Sequence, residues 1–343
     1  MNSRNRPRRL GSIRIAAVAL VSVAGVALAM EPLTGKVAVD GSSTVAPIMK
    51  AAAELFRAEQ PRVTVTVGVS GTGGGFKKFF EASPELRTDI TNASRPIKPS
   101  ELSKAAETGV HYIELPIAFD GIAVVVNPKN SFCDSLTIAE LRAIWAPGST
   151  IRNWKDVRPG FPDMALKLYG PGHDSGTFDY FTEAVVGTER HSRNDYTANE
   201  DDNVLVRGVE GDAGALGYFG FAYYQPNAAK LKLLAIDSGD GKPVKPSPET
   251  IGNGSYHPLG RPLFIYVNAD AAQRPAVKAL IEFTFANAKK IVEHRRVNYV
   301  ALPQEIYDVA LRRFREGVTG TVYAPDTSKT RSLAELYGAT ERK

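Results

Sequence analysis

The chain has 343 residues, of which 43% are hydrophobic and 23% are charged, the profile of a folded soluble protein too long for one small core. Its one cysteine, Cys133, excludes an intramolecular disulfide and any cysteine-based metal cluster. The formal net charge is +5, but the basic excess is not spread along the chain.

The first 29 residues are typical of a secretory signal peptide. They carry five arginines and no acidic residue, followed by an apolar stretch at residues 15–29 that ends in Ala27-Leu28-Ala29, a small-x-small cleavage pattern. The apolar stretch is short for a membrane anchor. We therefore expect a periplasmic protein cleaved near Ala29. Without the leader, 37 basic and 37 acidic residues remain, so nucleic acid is not an expected partner.

After the leader, strands alternate with helices. Residues 37–39 are typical of a buried strand, residues 47–60 have helical spacing, and residues 63–69 alternate as a β-strand does. A glycine-rich loop at residues 71–75 then precedes a helix predicted from Phe76. This order predicts an α/β fold with parallel strands and helical crossovers.

The rest of the chain continues the pattern. We predict strands at 121–127, 166–169 and 262–268, helices at 136–145, 276–292 and 303–315, and surface loops at 238–260. One economical architecture has two lobes joined by crossings near residues 116–120 and 260–262. Lobe I then comprises residues 30–118 and 262–343, and lobe II comprises residues 119–261. The cleft between them is the expected ligand site.

Three segments share one construction, in which a turn rich in Ser, Thr or Gly leaves a strand and opens a helix. They are residues 40–45, 71–76 and 172–178, which we name the first, second and third loops. Helix starts present unpaired backbone N–H groups and partial positive charge, which suit a small multiply charged anion. Each segment alone is typical of an ordinary cap or turn. Together they indicate an oxyanion site.

Two charged residues near these loops have two interpretations each. Arg95 could clamp two oxygens of an anion, or it could be a surface arginine in a loop. Asp174 could accept the proton that hydrogen phosphate carries and sulfate lacks, or it could cap the helix that begins after Ser175.

Several motifs at these positions resemble those of a known family. They are residues 41–47 (GSSTVAP), 71–76 (GTGGGF), 93–96 (ASRP), 174–177 (DSGT), 119–127 (FDGIAVVVN) and 214–218 (GALGY). They resemble, in the same order, motifs of the PstS-like periplasmic phosphate-binding proteins of high-affinity phosphate ABC importers. The similarity extends over most of the chain after the leader.

The resemblance implies a two-lobed venus-flytrap fold of the type II periplasmic-binding class, closing on one phosphate ion. It implies that the protein has no catalytic residue, no metal and no organic cofactor. It also implies that the protein is a monomer whose partner is the permease of an ABC transporter. The expected phosphate-binding residues are Ser43, Thr44, Val45, Thr72, Gly73, Ser94, Arg95, Asp174, Ser175, Gly176 and Thr177.

One position departs from the family pattern. In the best-known members, an aspartate that accepts the ligand's proton stands where this chain has Arg95, and an arginine comes from the third loop. Here the matching third-loop position is about Pro171. Selectivity for phosphate over sulfate is therefore expected either to depend on Asp174 or to be weaker than in the best-known members.

Other functions compete with phosphate import. A phosphate-ester hydrolase is one, with His173 as its acid or base, but the chain has no Gly-x-Ser-x-Gly elbow and no phosphate-loop motif. Its five histidines are scattered without metal-ligand spacing. The remaining alternatives are a binding protein for sulfate, arsenate or molybdate, and a secreted phosphate sensor or scavenger.

Overall fold

The computed structural model describes residues 33–173, 175–294, 296–323 and 333–340, together with Met1. Apart from Met1, the predicted signal peptide at residues 1–29 lies outside the described residues. Asp174 also lies outside them.

Strands and helices alternate through the first part of the chain, as the sequence predicts. The elements are β1 (Gly35–Gly41), α1 (Ala46–Glu59), β2 (Val63–Val67), α2 (Gly71–Phe79), β3 (Ile90–Ala93), α3 (Pro99–Thr108), β4 (Tyr112–Val126), β5 (Ser135–Thr137) and α4 (Ile138–Trp145). Short 3-10 turns lie at Pro84–Leu86 and Trp154–Asp156.

The second part begins with the strand before the third loop. Its elements are β6 (Lys167–Gly170), α5 (Gly176–Phe181), β7 (Thr197–Ala198), α6 (Asp202–Gly211), β8 (Ala215–Gly220), α7 (Phe221–Tyr224), β9 (Lys232–Leu233), β10 (Ala235–Asp237), α8 (Pro248–Gly252), β11 (Gly260–Asn268), α9 (Pro275–Ala286), α10 (Ala288–Val292), α11 (Gln304–Arg315) and α12 (Leu333–Thr340). A π-helical turn, Thr182–Val186, continues α5, and 3-10 turns lie at Gln225–Lys230 and Ala271–Gln273.

Helix α2 begins at Gly71, five residues earlier than predicted. The glycines of the second loop therefore form its first turns. Gly75 permits this packing, because a Cβ there would lie 2.5 Å from the Cα of Gly41 on β1. The close approach of α2 to β1 thus requires glycine at this position.

Three other boundaries also differ from prediction. The helix predicted at 136–145 begins at Ile138, because Thr137 accepts a hydrogen bond from the Glu140 amide and caps it. The long helix predicted at 276–292 is two helices separated at Asn287. The loop region at 238–260 contains the short helix α8, capped by Ser247.

The larger sheet has nine strands in the order β2-β1-β3-β11-β4-β8-β6-β7, with β9 also paired to β4. Strands β1, β2 and β3 are mutually parallel, as are β6, β7 and β8. Strands β11 and β4 lie antiparallel between these two groups. The parallel crossovers predicted from the sequence are confirmed, and a small second sheet pairs β10 with β5.

Strand β4 joins the two parallel groups. Its residues 112–121 pair with β11, and its residues 122–126 pair with β8. Both predicted crossings lie on this ladder, where Arg261 is paired with Asp120 and Gly260 with Gly121. The lobe boundaries themselves stay a prediction, since the chain from Leu33 onward forms one compact unit.

One continuous hydrophobic cluster packs against both groups of strands. Near α2 it is aromatic, with the rings of Phe76 and Tyr266 centred 5.0 Å apart. Near the third loop, Trp145 and Tyr218 are centred 4.8 Å apart. These contacts fix α2 and the end of α4 on the sheet. Within the described ranges, we find no helix with the length and hydrophobicity needed to span a bilayer.

Candidate oxyanion-binding site

A cavity of about 250 Å³ lies where the first and second loops meet α5 and the start of β11. One side, which we name the donor wall, consists of residues 42–44 and 71–73, Ser94, Arg95 and Lys98. The opposite side, the acidic wall, consists of Asp179, Tyr180, Glu183 and Glu189. Arg261 also lines the cavity.

The structure brings most of the predicted site residues together. Ser43, Thr44, Thr72, Gly73, Ser94 and Arg95 line the cavity. Val45 is fully buried behind them at the start of α1. Ser175, Gly176 and Thr177 do not line it but meet the first loop, since the Thr44 hydroxyl donates to the Gly176 carbonyl at 3.5 Å.

The start of α2, unlike that of α1, keeps backbone donors available. Val45 and Ser70 are the residues that precede the two helices, and the side chain of neither accepts a hydrogen bond from an amide of the first turn. The Ser70 hydroxyl donates to Asp40 instead, at 2.5 Å. The first N–H groups of α2 can therefore serve an anion in the cavity, whereas at α1 the Ala46 and Ile48 amides already donate to backbone carbonyls and Pro47 has no N–H. The third loop differs, because the Ser175 hydroxyl accepts from the Thr177 amide at 3.2 Å.

The hydroxyls of Thr72 and Ser94 form one unit. Their oxygens lie 3.1 Å apart, and the Ser94 amide donates to the Thr72 hydroxyl at 3.2 Å. This bond links the second loop to the end of β3. A ligand that accepts from either hydroxyl would therefore fix both segments.

Arg95 is at the cavity, but it is shared with a carboxylate that the sequence analysis did not predict. Two of its N–H groups donate to the two oxygens of Glu101, both at 2.9 Å, and another donates to the Pro96 carbonyl at 3.2 Å. Glu101 also accepts from the Lys98 amide and so caps α3. A guanidinium carries five N–H groups, so the pairing leaves part of Arg95 for a ligand.

A second arginine at the cavity, Arg261, was missed. It donates to the Thr44 hydroxyl at 3.2 Å and to one oxygen of Asp120 at 3.3 and 3.4 Å. Its guanidinium lies 3.5 Å from the ring centre of Tyr180. The only indication of this residue in the sequence was that Asp120 and Arg261 each lie at a predicted crossing between the lobes.

Asp120 is buried, with 1% of its side chain exposed. Burial raises the pKa of this carboxyl, although the charge of Arg261 acts in the opposite direction. Among the described residues, its second oxygen has no hydrogen-bond partner. Burying the Asp120–Arg261 ion pair therefore costs free energy, and the arginine of this pair lines the cavity.

Carboxylates dominate the acidic wall. Asp179 pairs with Arg190 at 3.0 and 3.2 Å. Partial burial, together with the charges of Asp179 and Glu183, raises the pKa of Glu189. Three cationic side chains and three acidic ones line the cavity. An anion must therefore be held mainly by directed hydrogen bonds rather than by an excess of positive charge.

His173 does not line the cavity; its ring packs on Phe178 with centroids 4.6 Å apart. Within the described part of the chain, no group of three or more His, Cys, Asp or Glu side chains is placed to hold a metal ion.

Comparison with known proteins identifies the family of the chain. A family model described as a PBP superfamily domain matches residues 29–288. Protein SphX of Synechococcus elongatus is 45% identical over 336 residues, 96% of this chain and 97% of that protein. Phosphate-binding protein PstS of Staphylococcus saprophyticus is 40% identical over 276 residues, 80% of this chain and 82% of that protein. The chain belongs to the PstS-like family of periplasmic binding proteins.

Solved structures of PstS-like proteins share the fold. A possible phosphate-binding protein from Planctomyces limnophilus has a TM-score of 0.78 at 45% identity, covering 83% of this chain and 99% of that one. A putative phosphate ABC transporter substrate-binding protein with bound phosphate, from Clostridium perfringens, has a TM-score of 0.53 at 26% identity, covering 78% and 100%. The predicted two-lobed α/β periplasmic-binding fold is confirmed.

Proposed function

We propose that this protein captures inorganic phosphate outside the cytoplasm and delivers it to the permease of an ABC-type importer. The observation that carries the proposal is the donor wall, where the uncapped start of α2 meets the paired hydroxyls of Thr72 and Ser94. Such convergence of N–H and O–H donors suits a tetrahedral oxyanion.

The proposed ligand contacts fall into two groups. From the donor wall we propose contacts by Ser43, Thr44, the Val45 amide, Thr72, Gly73, Ser94 and Arg95. From the third loop we propose contacts by Asp174, Ser175, Gly176 and Thr177. Asp174 is the proposed acceptor of the ligand's proton. That role would favour hydrogen phosphate, because sulfate would leave the carboxylate facing an unprotonated oxygen.

Capture would be coupled to closure of the cleft. The proposed lobes, residues 30–118 with 262–343 and residues 119–261, are connected through the β4–β11 ladder at residues 120 and 261. Rotation about this ladder would bring the third loop onto a phosphate bound at the donor wall. Exclusion of water would then strengthen each hydrogen bond.

Three finer features belong to the same proposal. The protein is secreted to the periplasm after cleavage near Ala29, acts as a monomer, and binds phosphate without turning it over. Its relatives in two Staphylococcus species bear the name of a phosphate-binding protein rather than of an enzyme. Release of phosphate from a phosphate ester by the purified protein would contradict the last feature.

Titration calorimetry tests the proposal directly. The purified protein is unfolded and refolded to remove carried phosphate, then titrated with phosphate and with sulfate at two pH values. We expect one phosphate per chain and little response to sulfate. Equal binding of both anions would reduce phosphate to one of several oxyanions, and binding of neither would contradict the proposal.

A further inference from the structure

Arg261 occupies a position that links the parts of the cavity. It is the second residue of β11 and lies directly opposite Asp120 in the antiparallel register with β4. Its side chain reaches Thr44 of the donor wall at 3.2 Å and the ring of Tyr180 of the acidic wall at 3.5 Å. One guanidinium on a crossing strand therefore touches both walls.

The contacts fix the orientation of the guanidinium but leave some of its N–H groups without an acceptor among the described residues. The Nε and Nη2 atoms of Arg261 donate to Asp120, and Nη2 also donates to Thr44. The two N–H groups on Nη1 have no acceptor among the described residues, although Arg261 lines the cavity. The π face of Tyr180 holds the plane of the group, and the Tyr180 hydroxyl is itself anchored on the Pro258 carbonyl at 2.6 Å.

The pair is hard to explain by stability alone. The side chains of Arg261 and Asp120 are 11% and 1% exposed, and one Asp120 oxygen lacks a partner within the described residues. A buried ion pair with an unsatisfied oxygen contributes little to stability compared with apolar packing. A fixed guanidinium with two unused N–H groups, by contrast, can donate charge-assisted hydrogen bonds to an oxyanion.

We propose that Arg261 contacts the bound oxyanion through its Nη1 side and that Asp120 is the positioning residue that holds it there. The inference rests on the proposed function, since it assigns a further ligand contact to the same cavity. Arg261 supplies from the crossing strand the guanidinium that the third loop, with Pro171 at the matching position, does not supply. Because the contact needs no proton on the ligand, it serves phosphate and sulfate alike.

Arg158 provides a matched control. It pairs with Glu140 at 2.6 and 2.7 Å and lies 5.0 Å from the ring centre of Phe161, but it does not line the cavity. Replacing it by lysine therefore removes the same kinds of contact without touching the site.

The test compares Arg261→Lys, Arg158→Lys and the double variant Asp120→Asn/Arg261→Gln, using calorimetric titration with inorganic phosphate and sulfate and thermal unfolding of each protein. We expect Arg261→Lys to weaken phosphate binding about tenfold and the double variant about 100-fold. The ratio of phosphate to sulfate affinity should stay unchanged. Arg158→Lys should bind as wild type does.

The double variant removes both charges, so no buried charge is left unpaired if the lysine variant fails to fold. Phosphate affinity within about twofold of wild type in a folded Arg261 variant would overturn the inference. Absence of binding by the wild type would instead overturn the proposed function as well.

A double-mutant cycle tests the positioning role. If Asp120 acts through Arg261, the loss of phosphate affinity from Asp120→Asn should be smaller when residue 261 is already lysine. Equal losses in both backgrounds would overturn the positioning role, because a general structural effect does not depend on the side chain at 261.

Discussion

The two walls of the cavity are built differently and present opposite chemistry. The donor wall comes from turns that follow parallel strands, and it offers the start of α2, hydroxyls and the cations of Arg95 and Lys98. The acidic wall comes from α5 and the residues after it, and it offers three carboxylates. The contrast indicates that directed donors provide affinity, while the acidic wall opposes anions that do not fit them.

The largest expected effect comes from forcing the third loop away from the first loop at Gly176. A Cβ there would lie 2.6 Å from the Thr44 hydroxyl oxygen and 3.0 Å from the Thr44 amide nitrogen. We expect Gly176→Ala to weaken phosphate binding by about 100-fold, measured by calorimetry, since hydrogen bonds to a charged group depend steeply on distance.

Gly211→Ala is the control for that variant. It adds a methyl group at the end of α6 with no atom within 4 Å, so affinity should not change and stability should rise slightly. Wild-type affinity in Gly176→Ala would show that the close approach of the third loop to the first loop is not needed for binding.

Arg95 tests the donor wall itself. Because Glu101 already accepts two of its N–H groups, we expect Arg95→Gln to weaken phosphate binding by about tenfold rather than more. Calorimetry measures the loss, and Arg57→Gln, an exposed change on α1, should cause none. A loss above about 1,000-fold would mean that Arg95 is the dominant cation.

Acidic residues also cluster near the third loop. Gly172 of the third loop lies against the carboxylate of Glu200. Burial and the charges of Asp201 and Glu200 raise the pKa of Asp202 from 3.8 to about 7. A carboxyl with a raised folded-state pKa stabilises the protein below its unfolded pKa, and this contribution is lost as pH rises through the folded pKa.

We therefore expect Asp202→Asn to gain stability relative to wild type as pH rises from about 4 to about 7. The gain in free energy of unfolding should reach at least about 1 kcal/mol, measured by denaturant unfolding without ligand. Asp201→Asn should show no such gain, since hydrogen bonds from Asn203 lower the pKa of Asp201. A pH-independent difference for Asp202→Asn would contradict the assignment.

Glu189 gives the smallest expected effect. Removing its charge should strengthen phosphate and sulfate binding alike, by about two- to threefold at low salt, and high salt should abolish the gain. Calorimetry at two ionic strengths measures it, with Glu305→Gln on α11 as the control. Weaker phosphate binding in Glu189→Gln would instead make the carboxylate an acceptor of the ligand's proton.

Local features of the donor wall could be predicted from the sequence. The three strand–turn–helix segments and Arg95 are encoded within short stretches, because turn residues and helix starts depend on near neighbours. The pairing of Arg95 with Glu101 could also be predicted from the sequence, since Glu101 follows six residues later in the first turn of α3.

The arrangement of Arg261 could not be predicted in the same way. Its partner Asp120 is 141 residues away in the chain, and only the register between β4 and β11 places them side by side. The acidic wall was missed for a similar reason. Nothing local in Asp179, Glu183 or Glu189 distinguishes a cavity wall from a solvated helix face.

The strand order has a consequence for how the chain folds. Strand β3 pairs with β1 on one side and with β11 on the other, yet β11 begins at Gly260, far along the chain from Ala93. Until that segment has been synthesised, β3 keeps an open edge able to pair with other chains. Such distant pairing slows folding and exposes intermediates to aggregation. We therefore expect the donor wall to reach its final structure late in folding, only when β11 joins the sheet.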